Sequence, residues 1–161
     1  KPPLGTGPRH MAYHPTLPMV YFSNEQGIGL STYRREANGQ LKVEQDISIL
    51  PPGLSKIGLS ASDLIITPDG KFLFAGLRGH RQDFDRISRY RVLEDGKAEF
   101  IGLTEADKIP WGLTLSPDGK FLLVSATTGA SLTAYRISPN GNLKKVASLA
   151  WDSGMSDLVT R

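Results

Sequence analysis

Residues 62–74 read Ser62-Asp-Leu-Ile-Ile-Thr-Pro68-Asp-Gly-Lys-Phe-Leu-Phe74, and this stretch decides the fold because it recurs along the chain. A near copy follows it in Pro110-Trp-Gly-Leu-Thr-Leu-Ser-Pro117-Asp-Gly-Lys-Phe-Leu-Leu-Val124, and a more distant copy precedes it in Gly7-Pro-Arg-His-Met-Ala-Tyr-His-Pro15. The anchor prolines Pro15, Pro68 and Pro117 are 53 and 49 residues apart. Self-similarity at a period of this length indicates a repeat architecture.

Each copy is predicted to form four short antiparallel strands. The first strand precedes the anchor proline, a Pro-Asp-Gly-Lys turn suits a tight hairpin, and the apolar run after the turn is the second strand. The third strand carries Tyr33, Tyr90 or Tyr135, and a Gly six residues later marks the next hairpin. Four strands per repeat predict β-propeller blades. A β-sandwich with coincidental turns is the alternative, and the matching Pro, Tyr and Gly positions argue against it.

The fold class is therefore predicted to be all-β, a β-propeller of four-stranded antiparallel blades. The blades are expected at about 7–50, 61–104 and 109–150, with the inner strand of a further blade at 155–161. Propellers typically close with about 4–8 blades, so three blades would leave two apolar faces open to water. We expect ring closure to need blades N-terminal to Lys1 or self-association of the chain.

Composition excludes several classes of function. The chain has 161 residues, no cysteine and a net charge of +3. Without cysteine there is no disulfide scaffold, thiolate metal site or Cys nucleophile. The basic residues are scattered among 16 acids, which argues against a nucleic-acid partner, and no apolar run reaches the ~20 residues that span a membrane. We predict no cofactor and no metal; the compartment stays open, with the cytoplasm favoured.

The meander predicts that polar residues gather on one face of the blades. Successive strands alternate in direction, so the structural hairpin turns lie on one face. The entries to the first strands and the loops between second and third strands lie on the other. Loops on a rigid scaffold are where sites usually lie. His14 falls at a turn and is predicted to be structural, and Trp111 and Trp151 are predicted to pack in the blades or to line the wall of the central channel. The polar residues expected on the site face are Arg9, His10, Glu25, Asp63, Arg78 and His80.

The loop after the second strand of blade two is longer than its counterparts. Anchor proline and Tyr are 22 residues apart in blade two and 18 in the other two blades, and the extra residues fall within 78–86. This loop is rich in arginine, which suits bidentate binding of carboxylate or phosphate. The alternative is a solvated loop in which Asp83 and Asp85 pair with Arg81 and Arg86.

The motifs Gly7-Pro8-Arg9-His10-Met11, Ser23-Asn24-Glu25, Ser62-Asp63 and Arg78-Gly79-His80 carry a family resemblance. The chain resembles the seven-bladed lactonase propellers, which include 6-phosphogluconolactonases of the cycloisomerase type and 3-carboxy-cis,cis-muconate lactonizing enzymes. The match looks like the C-terminal half of that family. The resemblance implies a seven-bladed ring and a lactone-acting hydrolase, with a small-molecule lactone or another anionic substrate as the partner.

The resemblance also implies a set of site residues. It implies Glu25, His10 and Arg9 as catalytic residues and Arg78, His80 and Asp63 as substrate-binding residues. Glu25 or His10 would be the general base, and the arginines would bind an anionic group and the developing oxyanion. A muconate-type lactonizing cycloisomerase and a non-catalytic binding propeller remain alternatives. Two motifs depart from the family, Asp63-Leu64-Ile65 without the usual His and Pro110-Trp111-Gly112 without the usual Arg, and they allow a less anionic substrate.

Overall fold

The computed structural model describes residues 4–151 and 154–160. In these ranges the fold is all-β, as predicted, with three antiparallel four-stranded sheets in chain order. The first sheet contains β1 Pro8–Tyr13, β2 Met19–Asn24, β3 Gly29–Arg35 and β4 Leu41–Ser48. The second contains β5 Leu59–Ile66, β6 Phe72–Gly79, β7 Arg86–Val92 and β8 Ala98–Glu105. The third contains β9 Pro110–Leu115, β10 Phe121–Ala126, β11 Ser131–Ile137 and β12 Leu143–Ala150.

The recurring tyrosine occupies the same register in every sheet. Tyr33, Tyr90 and Tyr135 each face an aliphatic residue on the preceding strand, and each adjoins a bulge in the pairing with the following strand. All three side chains are buried, and the Tyr135 hydroxyl donates to the carbonyl oxygen of Glu105 at 3.1 Å. Burial raises the pKa of Tyr135 to about 12, and the charge of Asp107 adds to the shift. The three recurring tyrosines are therefore core residues.

Two apolar seams join the three sheets. The seam between the first and second sheets contains Met19, Tyr21, Leu30, Leu73 and Leu77. The seam between the second and third sheets contains Phe72, Phe74, Leu113, Leu122 and Val124. Burial of this apolar surface, worth ~25 cal/mol per Å², stabilises the contact between neighbouring blades and so helps to hold the loops at their edges in place.

The hairpin turns are closed by side chains at one repeated position. In blade two, Thr67 Oγ1 donates to Asp69 Oδ1 at 2.6 Å, and Gly70 takes a φ of 74°. His14 stands at the same position in blade one, where its Nδ1 accepts the amide of Leu17 at 2.9 Å. His14 therefore closes a turn, as expected from its place in the repeat.

An inner strand is predicted at 155–161. Residues 154–160 have no strand pairing in the structure, and Arg161 lies outside the described residues. The segment nevertheless lies along β9, where Thr160 Oγ1 donates to the carbonyl oxygen of Leu115 at 2.7 Å. An inner strand needs a second strand to pair with, and none of the described strands supplies it. No helix in the described ranges is long and apolar enough to cross a membrane.

Candidate functional site

The site arises because three repeated positions meet at the inner strands. β1 lies beside β5, and β5 lies beside β9. Residues with the same offset from the anchor proline therefore come close together from successive blades. The residues six before the proline are Arg9, Ser62 and Trp111, those five before are His10, Asp63 and Gly112, and those ten after are Glu25, Arg78 and Thr127.

Glu25 and two arginines form the centre of the cluster. Arg78 donates from Nη2 to Glu25 Oε1 at 2.6 Å and to the carbonyl oxygen of Ala61 at 3.0 Å. Arg9 donates from Nη1 to the same Glu25 oxygen at 3.3 Å. The Arg78 side chain is only 2% exposed, whereas Arg9 and Glu25 are 27% and 35% exposed. Arg9 is therefore the guanidinium group that a ligand can reach, and Arg78 lies beneath it.

The charges in this cluster do not cancel. Two guanidinium groups share one carboxylate, which leaves one net positive charge. Burial lowers the pKa of Arg78, the hydrogen bond to Glu25 opposes that shift, and the nearby charge of Arg9 adds to it. Such a half-compensated pair attracts an anionic group and stabilises negative charge that develops in a reaction.

Trp111 covers both arginines. Its ring centroid lies 4.3 Å from Cζ of Arg78 and 5.4 Å from Cζ of Arg9. Both distances are within the ~6 Å range of cation–π attraction. The sequence predicted a blade-packing or channel-wall role for Trp111, and in the structure its ring lies against the two guanidinium groups of the cluster.

His10 and Asp63 form a second pair beside this cluster. His10 Nδ1 lies 2.9 Å from Asp63 Oδ1. Asp63 is itself fixed, because its carboxylate accepts the amide of Leu64 at 2.8 Å and the amide of Leu113 at 2.9 Å. A carboxylate can only accept, so Nδ1 carries the proton and Nε2 of the neutral ring is left as an acceptor. Asp63 therefore orients His10, and both of its carboxylate oxygens already have partners.

His80 lies in an adjoining cleft and outside the charged cluster. Its Nε2 is 2.8 Å from Ser60 Oγ. The cleft has a volume of about 350 Å³, within the size range of ligand pockets. Trp111 lines the boundary between cluster and cleft. The other lining residues include Gly79, Lys108, Ile109, Thr127 and Thr128.

The long loop of blade two is held by backbone contacts. The buried Asp85 accepts the amides of Gly79 and Ile109, each at 2.9 Å. Asp83 pairs with Lys108 at 3.8 Å. Asp85 therefore fixes the loop to the entry of β9, whereas the Asp83–Lys108 pair is exposed and holds little. Among the described residues, neither aspartate makes the arginine salt bridge expected for a solvated loop.

The sequence analysis did not predict the contacts that Trp111 and Asp85 make. Trp111 could have been found from the repeat, since it occupies the same position as Arg9. No repeat position marks Asp85, because it lies in residues that blade two adds. In the described part of the chain, no group of three or more His, Asp or Glu side chains could hold a metal ion.

Comparison with known proteins places the chain in a family. The family model "Lactonase, 7-bladed beta-propeller" matches residues 1–156. The 6-phosphogluconolactonase of Pectobacterium carotovorum is 31% identical over 153 residues, which cover 93% of this chain and 45% of that protein. The 6-phosphogluconolactonase of Yersinia pestis is 32% identical over 140 residues, or 84% of this chain and 40% of that protein.

A solved structure gives the same result. The periplasmic gluconolactonase PpgL of Pseudomonas aeruginosa superposes with a TM-score of 0.84 at 25% identity, over 94% of this chain and 42% of that one. The chain thus spans a little under half the length of the curated relatives it matches. The chain belongs to the lactonase family of seven-bladed β-propellers.

Proposed function

We propose that this chain contributes the active site of a lactone hydrolase that acts on an anionic sugar lactone. The observation that carries the proposal is the juxtaposition of a carboxylate-oriented histidine, His10, with a half-compensated arginine pair. This arrangement supplies a base and an anion-stabilising group on one face. The printed names of the relatives, 6-phosphogluconolactonase and gluconolactonase, favour a lactone as the substrate.

In the proposed reaction, His10 Nε2 takes a proton from water and the resulting oxygen nucleophile attacks the lactone carbonyl carbon. The carbonyl oxygen gains negative charge, which the exposed Arg9 stabilises. The bond from the carbonyl carbon to the ring oxygen then breaks, and the imidazolium returns its proton to that oxygen. The products are a free carboxylate and a hydroxyl group, so no other reactant is needed.

Glu25 and Asp63 position the reacting groups in this scheme and do not react themselves. Glu25 keeps Arg9 and Arg78 together, and its single contacted oxygen already accepts from both. Asp63 holds the tautomer of His10 that leaves Nε2 free. The sugar ring would extend into the cleft beside Trp111, where His80 and Lys108 are available to an anionic substituent.

The test is hydrolysis of 6-phosphogluconolactone and of unphosphorylated gluconolactone, corrected for the spontaneous rate. His10→Asn is expected to lower kcat by about 100-fold or more, as for loss of a general base. Arg9→Met is expected to lower kcat for both lactones, because it removes the group that stabilises the oxyanion. The matched control is His14→Thr, which replaces a histidine on the turn face with the threonine that blade two has at the corresponding position, Thr67. This variant should retain full activity. Full activity of His10→Asn contradicts the proposal. Turnover of a carboxymuconate in place of both lactones would assign a cycloisomerase instead.

A further inference from the structure

Trp111 contacts the site in a way that the proposed chemistry does not use. Its ring is in cation–π range of Arg78 and Arg9 at once. It comes from blade three, whereas Arg9 is on blade one and Arg78 on blade two. A single side chain of blade three therefore contacts the cationic groups of blades one and two.

The two guanidinium groups need such a contact. They carry like charges and share one carboxylate oxygen of Glu25, so they repel each other. Arg78 is fixed by burial and by the carbonyl oxygen of Ala61. The described contacts of Arg9 are weaker, one hydrogen bond of 3.3 Å to Glu25 and the Trp111 ring. Arg9 is a long and flexible side chain, and without the ring it gains rotamer freedom in water.

Burial of Arg78 also favours an aromatic neighbour. Its Nε is buried and has no hydrogen-bond acceptor among residues 4–151 and 154–160. A buried cation without full hydrogen bonding is costly. The negative face of an aromatic ring at 4.3 Å offsets part of that cost.

We propose that Trp111 is a positioning residue that holds the Arg9 guanidinium on the Arg78–Glu25 pair and so presents one net positive charge to an anionic group of the ligand. The identity of the ligand rests on the proposed function. The recognised chemistry is an anionic oxygen group, which could be the phosphate of a sugar phosphate or a sugar carboxylate. Binding of 6-phosphogluconate and of gluconate distinguishes these two sources.

Calorimetric titration with both compounds tests the proposal without turnover. We expect Trp111→Leu to weaken 6-phosphogluconate binding by about tenfold, and Trp111→Phe, which keeps a smaller aromatic face, by about threefold. In an Arg9→Met background, Trp111→Leu should weaken 6-phosphogluconate binding by less than a further twofold, because Trp111 acts through Arg9. Trp151→Leu, at the other tryptophan, is the control and should bind as the wild type does.

A purely structural role predicts a different pattern. Trp111→Leu would then weaken 6-phosphogluconate binding by the same factor with and without Arg9, or would leave binding unchanged. Either result overturns the proposal. Thermal melting shows which variants fold, and if Trp111→Leu does not, the same comparison is made with Trp111→Phe.

Lactone hydrolysis on the same samples separates the two proposals. Wild-type protein that binds 6-phosphogluconate through Trp111 but hydrolyses no lactone refutes the hydrolase and supports the positioning role. Hydrolysis and binding unchanged in Trp111→Leu refute the positioning role and leave the hydrolase standing. Wild-type protein that binds neither compound refutes the positioning role, and the hydrolysis rates alone then decide the hydrolase.

Discussion

Glu25→Gln isolates the electrostatic contribution of the central carboxylate. The substitution keeps a carbonyl oxygen that can accept from Arg78 but removes the negative charge. Arg78 is 2% exposed and bonds to this residue at 2.6 Å. The variant therefore leaves a buried guanidinium group without a counter-charge.

The size of the effect follows from the burial of the two partners. Removing one partner of a fully buried ion pair costs about 3–5 kcal/mol. Glu25 is 35% exposed, so water replaces part of the lost interaction, and the remaining amide still makes a neutral hydrogen bond worth ~1 kcal/mol. We expect a loss of about 2 kcal/mol in the free energy of unfolding, roughly a 30-fold change in the folding equilibrium. For a chain of this size the melting temperature should fall by about 4–8 °C.

Urea unfolding monitored by circular dichroism measures this loss in the free energy of unfolding. Two further variants show whether the buried ion pair is its cause. Glu44→Gln breaks a pair of the same residue types, Arg34–Glu44 at 3.0 Å, in which Arg34 is 39% exposed. This control should lose about 0.5 kcal/mol or less. The double variant Glu25→Gln with Arg78→Met removes the buried charge as well and should lose about 1–2 kcal/mol less than the sum of the single variants. Equal losses for Glu25→Gln and Glu44→Gln, or additive losses in the double variant, would refute the reasoning.

Three other predictions concern the turns, the strands and the assembly. Burial lowers the pKa of His14 from its ordinary value of 6.5, so the unfolded chain binds its proton first and stability should fall as the pH drops below about 6.5. His14→Thr should flatten the change in urea midpoint between pH 7.5 and 5, and an unchanged profile would contradict this assignment. Gly29→Ala would place a Cβ 1.8 Å from the carbonyl oxygen of Ile47 and should prevent folding of blade one as judged by circular dichroism. Gly39→Ala meets open space at a φ of 82° and should lower the free energy of unfolding by only about 1–2 kcal/mol. Similar losses of stability for the Gly29 and Gly39 variants would contradict the register of β3 and β4. Apolar side chains on β1 are exposed, so native mass spectrometry of this chain alone should show association, and a stable monomer would contradict ring closure by a second copy.

The sequence predicted the fold because each blade repeats the same local signals. The Pro-Asp-Gly-Lys turns and the tyrosines occur at fixed offsets, and Tyr33, Tyr90 and Tyr135 occupy one register. Residues 155–161 were predicted as an inner strand because Ser156-Asp-Leu-Val159 repeats Ser62-Asp-Leu-Ile65, and residues 154–160 have no strand pairing in the structure. Pattern alone cannot form a strand without a neighbour to accept its hydrogen bonds.

The candidate site was predictable in its location but not in its contacts. Strand direction places Arg9, Glu25 and Arg78 on one face, and the repeat then makes residues of equal offset neighbours across blades. The sequence could not show that Arg78 lies beneath Arg9 or that Trp111 covers both, because burial depends on the seam between blades. The contacts of Asp85 were not predictable either, because its partners are backbone amides that no side-chain motif encodes.

The site and the packing of the blades depend on one set of buried contacts. The amide of His10 donates to Ser23 Oγ at 3.2 Å, and Ser23 Oγ donates to the carbonyl oxygen of Ser62 at 3.0 Å. Ser62 Oγ in turn donates to the carbonyl oxygen of Pro110 at 2.7 Å, which lies next to Trp111.

This line of bonds crosses from blade one to blade three directly behind the charged cluster. A change that shifts one blade by a fraction of an ångström therefore moves the base, the arginines and the aromatic cover relative to one another. Gly76 shows how little room there is, because a Cβ at that position would lie 2.1 Å from Ser62 Oγ. We conclude that substitutions along this line should impair ligand binding through geometry even where they contact no ligand. The spacing of the inner strands therefore belongs to the site as much as its charged residues do.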